Sequence, residues 1–343
     1  MLGIQTNRIS AVMARNLFRS TARWVFRILG TAVLLIVVVT AVQSFRLLDF
    51  GAKPDFIVDQ AALAQDVQFI EANGLRFGYL ESGEGPLVLL LHGYPETARS
   101  WHEVQADLAD SGFRTVAVFM RGYAPTSAAS DYSVRSLGQD VVSLIEAFGE
   151  NEAIVVGHDW GASAAYEAAF TAPEKVSHLV ALSIPHPKGT QPSLGLFLVA
   201  PHFLYYQLPT AERLVWSNDF DHIRTIFKTW SPGFDMPEGE FNNIRNTLQT
   251  PDGIAGPMAY YHAVAANGAG NADIQPTSEI TVPTLVIAGD SDGTVNLDGF
   301  SNAEPAFTGP YSFEVLDGVG HFPQVEQPRK VAAAIRDFVL RNQ

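Results

Sequence analysis

Short, unbroken runs of apolar residues constrain this chain most: LVLLL at 87–91, AIVV at 153–156 and LVIA at 285–288 carry no polar position to mark a solvent face. Such a run reads as a strand covered on both sides, the hallmark of a parallel sheet. Strands are predicted at Val67–Glu71, Leu75–Leu80, Leu87–Leu91, Thr115–Phe119, Ala153–Val156, His178–Leu182, Thr284–Ala288 and Phe313–Leu316. Between two of them Val134, Leu137, Val141, Leu144, Ile145 and Phe148 recur at three-to-four spacing, which predicts a helix with one apolar stripe. Alternation of this kind predicts a doubly wound α/β fold. It stops between about Pro185 and Thr281, where aromatic residues, prolines and helix-like stretches predominate. The expected organisation is therefore a linker at 49–65, an α/β core at 66–184 and 282–343, and a helical cap at 185–281. The cap would lie over the carboxyl ends of the strands, where such sheets bind ligands.

Charge is distributed unevenly. The whole chain carries −14, yet its first 48 residues hold six arginines (8, 15, 19, 23, 27 and 46) and no acid, which leaves −20 on the rest. A body that acidic repels phosphate backbones and disfavours a nucleic-acid partner. The absence of cysteine excludes disulfides, zinc–thiolate sites and a thiol nucleophile. Residues Ile28–Phe45, ILGTAVLLIVVVTAVQSF, contain no ionised side chain, and Arg19, Arg23 and Arg27 precede them. A run of this length suits a membrane-crossing helix, for which about 20 residues are needed. The arginine excess predicts residues 1–48 as an anchor with a cytoplasmic amino terminus and an extracytoplasmic catalytic domain. The alternative is a signal segment cleaved near the small residues around Val39 and Ala41, giving a secreted protein.

One short motif carries the chemistry. After AIVV comes Gly157-His158-Asp159-Trp160-Gly161, then the small residues of a helix start. Glycines two before and two after Asp159 permit the sharp strand-to-helix turn called a nucleophile elbow, with Asp where Ser is commoner. The plainer reading makes Asp159 only a helix N-cap. His321 follows the last strand in GVGHF, and Asp290 and Asp292 follow the strand before it in GDSDG. Nucleophile, acid and histidine thus occur in the chain order of a hydrolase triad. The strand LVLLL ends in His92-Gly93-Tyr94-Pro95, which can bring the Tyr94 N–H beside that of Trp160 as an oxyanion hole.

HGYPETARSWH, FMRGYAPTS, GHDWGA and GVGHFPQVEQP together resemble the epoxide hydrolase branch of the α/β-hydrolase superfamily, over roughly residues 66–340, with motifs similar to those of haloalkane dehalogenases. The resemblance selects Asp292 over Asp290 as the triad acid. It also implies two cap residues that activate the epoxide oxygen, Tyr261 and, where Tyr is usual, His202. Tyr205 is the substitute if that alignment slips, and Trp216 and Trp230 are expected to pack rather than bind halide.

A carboxylate nucleophile suits an sp³ carbon bearing a leaving group better than an ester. The expected reaction is therefore opening of an epoxide to a diol through an alkyl ester on Asp159, hydrolysed by water that His321, oriented by Asp292, activates. No cofactor or metal is called for. Haloalkane dehalogenation and carboxylic-ester or lipid hydrolysis are the alternative chemistries, and a non-catalytic binding module is the alternative class. The expected partner is a small epoxide or alkyl halide.

Overall fold

Strand and helix alternate to build one eight-stranded sheet in the computed structural model, which describes residues 56–190, 200–267 and 272–343. The strands are β1 Gln68–Ala72, β2 Leu75–Ser82, β3 Leu87–Leu91, β4 Arg114–Val118, β5 Ala153–His158, β6 Val176–Leu182, β7 Thr284–Gly289 and β8 Tyr311–Leu316. Their order is β1-β2-β4-β3-β5-β6-β7-β8. β1 and β2 run antiparallel at one edge, and β2 also meets β4 antiparallel; the remaining pairs are parallel. This is the mostly parallel sheet of the α/β-hydrolase fold.

The apolar runs are explained by helices on both faces. Leu87, Leu89 and Leu91 of β3 join a core with Leu137, Val141, Leu144 and Ile145 of α3 (Val134–Ala147) and the alanines of α4 (Trp160–Thr171). Val88 and Leu90 point the other way, onto Val104 and Leu108 of α2 (His102–Asp110) and Val331, Ile335 and Phe338 of α11 (Pro328–Arg341). Each such side chain, taken fully out of water, contributes roughly 1.5–3 kcal/mol before entropy is counted.

Between β6 and β7 the described residues form α5 (His202–Tyr205), α6 (Ala211–Trp230), α7 (Glu238–Leu248) and α8 (Ala255–Asn267). Helix α6 is broken at Ser217–Phe220, where Asn218, Asp219 and Phe220 take positive φ. Asp219 at the break is tied to Arg245 of α7 at 2.9 Å, and Phe220 is buried there against Phe56. Helix α8 starts hard against the loop after β4, for a Cβ on Gly256 would lie 2.1 Å from the Gly122 carbonyl oxygen. Two further helices close the carboxyl-terminal part, α9 (Leu297–Ala303) and α10 (Pro323–Glu326).

The segment expected to be a linker contains one element of its own. Residues Gln60–Ala64 form a helical turn, α1, capped by Asp59 Oδ1, which accepts the Ala62 N–H at 3.0 Å. Its terminal carbonyls are taken up by Arg99, whose Nη2 donates to Ala62, Leu63 and Gln65. Five residues are too few to show a period, and the turn is held by this tertiary contact. The apolar segment at 28–45 lies outside the described residues. Among the described residues no helix is long and apolar enough to cross a membrane.

Candidate active site

The turn from β5 into α4 is a backbone-on-backbone contact. A Cβ on Gly157 would stand 2.1 Å from the Gly161 carbonyl oxygen, and one on Gly161 would stand 2.2 Å from that of Leu91. Only glycine permits this, and the tightness forces Asp159 to φ 51°, ψ −116°, a costly conformation for an L-residue. Its side chain makes no helix-capping hydrogen bond. Instead Oδ1 accepts the Tyr94 N–H at 2.8 Å, while Oδ2 faces His321 Nε2 at 3.7 Å. Gly93 lets the loop come this close, since a Cβ there would meet the Asp159 side chain at 2.3 Å. Trp160 is the first helical residue, so its N–H has no intrahelical acceptor. His92 braces the loop: Nδ1–H donates to the Gly93 carbonyl at 2.9 Å, and Nε2 accepts the Met120 N–H at 3.1 Å.

His321 bridges two carboxylates. Its Nδ1 is 2.7 Å from Asp292 Oδ2, opposite the Nε2 that faces Asp159. Asp292 Oδ1 is fixed in turn by the Thr294 N–H and hydroxyl at 2.7 and 2.8 Å. Asp290 has another task, accepting the Gly318 N–H at 2.8 Å to tie two loops together. Burial alone would lower the His321 pKa, but Asp292 and Asp159 outweigh it and raise it to about 10. Burial likewise opposes ionisation of Asp159, yet His321, with His158 and the Tyr94 N–H, holds its carboxyl below the usual range. The resting site is thus an imidazolium held between two carboxylates.

Residues not singled out beforehand hold the His321 backbone. Its N–H donates to Ser231 Oγ at 2.8 Å, and its carbonyl accepts from Ser183 Oγ and His158 Nε2, each at 2.8 Å. Glu326 takes the Ser231 hydroxyl and the N–H groups of Gly320 and Phe322. His158 Nδ1 sits 2.7 Å from the fully buried Glu96, which also receives Gln324 Nε2 at 2.6 Å. For Glu96, His158, Gln324 and Glu326 the clue in sequence was their place inside the motifs HGYPE, GHDWG and GHFPQVE, whereas Ser183 and Ser231 lie outside all three.

The cap supplies the opposite wall. The Tyr261 ring lies 5.2 Å from Trp160, 5.5 Å from Tyr94 and 5.6 Å from His202, all edge-on. Its neighbour Tyr260 points elsewhere, donating to the Arg121 carbonyl at 2.8 Å, and this bond seats the helix so that Tyr261 faces Asp159. α5 and α8 are latched reciprocally: Gln207 Nε2 donates to the Tyr261 carbonyl at 3.1 Å, and His262 Nε2 to the Tyr206 carbonyl at 2.8 Å. His202 is buried, with Trp230 against its ring at 4.7 Å, and burial lowers its pKa to about 4, so it is a neutral imidazole at pH 7. Trp230 also meets His321 edge-on at 5.0 Å and belongs to the site wall as well as to the core. Trp216 packs under Arg213, and Tyr205 lies outside Tyr206. The Trp160 indole Nε1 is buried without an acceptor in hydrogen-bonding geometry, beside the Tyr261 hydroxyl, whose pKa burial pushes well up.

An open cavity of about 590 Å³ lies elsewhere, lined by Arg99, Ser100, Glu240 and Gln324, and touches none of the three triad side chains. Among the described residues no group of three or more His, Asp or Glu is arranged to hold a metal ion.

Comparison with known proteins gives a consistent result. The pattern of the alpha/beta hydrolase fold family matches residues 86–328. The chain is 28% identical over 364 residues to epoxide hydrolase 3 of Xenopus tropicalis, spanning 98% of this chain and 97% of that protein. It is 29% identical over 312 residues to epoxide hydrolase A of Mycobacterium tuberculosis, spanning 79% and 96% respectively. The crystal structure of epoxide hydrolase A from Mycobacterium thermoresistibile superposes with a TM-score of 0.67 at 26% identity, covering 79% of this chain and 97% of that one.

Proposed function

Because this chain belongs to the epoxide hydrolase branch of the α/β-hydrolase superfamily, we propose that it opens epoxides to diols through a covalent ester on Asp159. One observation supports the mechanism: a carboxylate occupies the elbow with Oδ1 bound by the Tyr94 N–H and Oδ2 3.7 Å from His321 Nε2. Oδ2 attacks an epoxide carbon, the C–O bond breaks, and the leaving alkoxide takes a proton from Tyr261 O–H or His202 N–H. A strongly basic leaving group needs such a donor, and a positioned acid is worth roughly 10²- to 10⁴-fold. Alkylation erases the Asp159 charge, which removes one of the two supports of the His321 imidazolium. The imidazole then loses its proton and becomes the base for the second step. Water deprotonated by His321 attacks the ester carbon, and the oxyanion develops on Oδ1 at the Tyr94 and Trp160 N–H groups. Collapse releases the diol and restores the carboxylate and imidazolium.

The test uses one turnover in ¹⁸O water. The diol should carry an unlabelled oxygen from Asp159, with the label left in the enzyme carboxylate. His321→Gln should accumulate an adduct of substrate mass, and Asp159→Asn should form none. Heavy oxygen in the first diol, with no adduct in His321→Gln, would reduce Asp159 to a general base. The buried Trp160 indole N–H, beside the Tyr261 hydroxyl, favours haloalkane dehalogenation as a second reading, since halide leaves as an anion that such donors bind. Halide release from an alkyl halide panel faster than diol formation from an epoxide panel would select it.

We also propose that residues 1–48 anchor the enzyme in a membrane with the catalytic domain outside the cytoplasm; the apolar run at 28–45 and the arginines before it support this. A reporter fused after Gln343 should be active only in an extracytoplasmic format. Activity of a cytoplasmic reporter would reverse the orientation, and a mature chain beginning after about residue 41 would show a cleaved signal.

A further inference from the structure

The carboxyl end of α6 is wedged between the two loops that carry the acid and the base. A helix leaves its last carbonyls without intrahelical partners, and that of Trp230 accepts the Gly293 N–H at 3.0 Å and the His321 N–H at 3.2 Å. The seat is tight on both sides: a Cβ on Gly293 would lie 2.1 Å from the Thr229 carbonyl oxygen, and one on Gly320 would lie 2.4 Å from Cα of Ser231. Ser231 ends the helix, is fully buried, and returns its own N–H to the Phe227 carbonyl at 2.8 Å. It comes from the helices inserted between β6 and β7, whereas Gly293, His321 and Glu326 follow β7 and β8.

Packing does not call for the Ser231 hydroxyl. Alanine would fill nearly the same space without a polar atom that must be paired once buried. The hydroxyl is paired twice, and the direction of both bonds is fixed. Glu326 as a carboxylate only accepts, so the Ser231 proton goes to its Oε1 at 2.7 Å and a lone pair is left for the His321 N–H at 2.8 Å. The same carboxylate takes the Gly320 N–H on Oε2 at 2.8 Å and the Phe322 N–H on Oε1 at 3.0 Å. Three consecutive N–H groups are therefore gathered on one acid, the middle one through Ser231. This grip matters most after ring opening. Before it, the imidazole has a carboxylate on either side, Asp292 at 2.7 Å and Asp159 at 3.7 Å. Esterification takes the Asp159 charge away, and Nε2 must then stay directed at the hydrolytic water with Asp292 and the backbone alone.

We propose that Ser231, tied to Glu326, is a positioning residue for the second half of the reaction: it holds the His321 backbone so that the imidazole can activate water against the Asp159 ester, and it contributes little to ring opening. The inference rests on the epoxide-hydrolase reading. Ring opening uses Oδ2 of Asp159 and a proton donor from the cap, and the Ser231 hydroxyl is bonded to neither. Ester hydrolysis uses His321 as a base, and the Ser231 hydroxyl acts on that residue alone among the reacting groups.

The experiment separates the two half-reactions by rapid quench of the full chain with the fastest substrate of an epoxide panel. Ser231→Ala should form the Asp159 adduct at close to the unmodified rate and hydrolyse it roughly ten- to 100-fold more slowly. Steady-state kcat and KM should then fall together, leaving kcat/KM, which reports ring opening, nearly unchanged. Glu326→Gln, whose amide cannot accept on both sides, should show the same split, and it decides the question if Ser231→Ala does not fold. Because the two residues act through one hydrogen bond, the double variant should be little slower than the worse single one. Ring opening slowed as much as hydrolysis, hydrolysis left unchanged, or losses that multiply in the double variant would overturn the role and leave Ser231 a packing residue. Failure of the unmodified enzyme to form an adduct with any epoxide would refute the epoxide-hydrolase reading itself, a distinct outcome read in the same assay.

Discussion

Replacing Asp159 by Asn tests the central electrostatic step, because the amide mimics the uncharged ester while still accepting the Tyr94 N–H. In the unmodified enzyme His321 Nε2 lies 3.7 Å from Asp159 Oδ2 and its pKa is raised to about 10. Two unit charges at that separation attract by about 4.5 kcal/mol at an effective dielectric constant of about 20. Removing this attraction lowers the imidazole pKa toward the ordinary histidine range, with Asp292 still in place. A shift in that direction suits a base at neutral pH. The assay is an NMR titration of the His321 ring in both proteins, with Asp292→Asn as a second reference. If His321 titrates at the same pH with and without the Asp159 charge, alkylation does not convert it to a base. The coupling of the two steps would then be wrong.

The same ion cluster makes stability depend on pH. The His321 pKa is raised on folding, so its contribution is complete below about 6.5, the unfolded value, and is lost as pH rises through about 10. The unfolding free energy should therefore decline by up to about 1.4 kcal/mol per pH unit across that window, and His321→Gln should flatten the decline in denaturant titrations. A slope equal in both proteins would contradict this account. Tyr261→Phe should slow adduct formation by roughly 10²-fold or more while leaving ester hydrolysis nearly intact in rapid-quench experiments. Equal slowing of both steps would assign Tyr261 to packing. Tyr260→Phe removes only the bond to the Arg121 carbonyl. It should lower stability by about 1 kcal/mol in denaturant titrations and change both steps by the same small factor, and a selective loss of alkylation would give Tyr260 a chemical role.

What the sequence determined by itself was local and periodic. LVLLL, AIVV and LVIA had to be covered on both faces, so a parallel sheet followed without knowledge of any contact. The glycines around Asp159 announced a tight turn because only backbone without a Cβ fits there, and the distance of 2.1 Å from a Gly157 Cβ to the Gly161 oxygen is that steric fact in coordinates. Asp290 and Asp292 differ by two positions in one loop, and periodicity does not separate them; the fold does, by turning one carboxylate to His321 and the other to the Gly318 N–H. The cap was legible as a break in pattern but not in detail. Whether Tyr260 or Tyr261 faces the nucleophile depends on where α8 begins against Gly122, a contact more than 130 residues distant along the chain. The hydrogen bonds that Tyr206 makes with Tyr94 and His222 join three elements with no shared motif. Covalent neighbours set what a segment can become, whereas a titrating pair or a hydrogen bond requires atoms brought within 3–4 Å, and only tertiary packing decides which atoms those are.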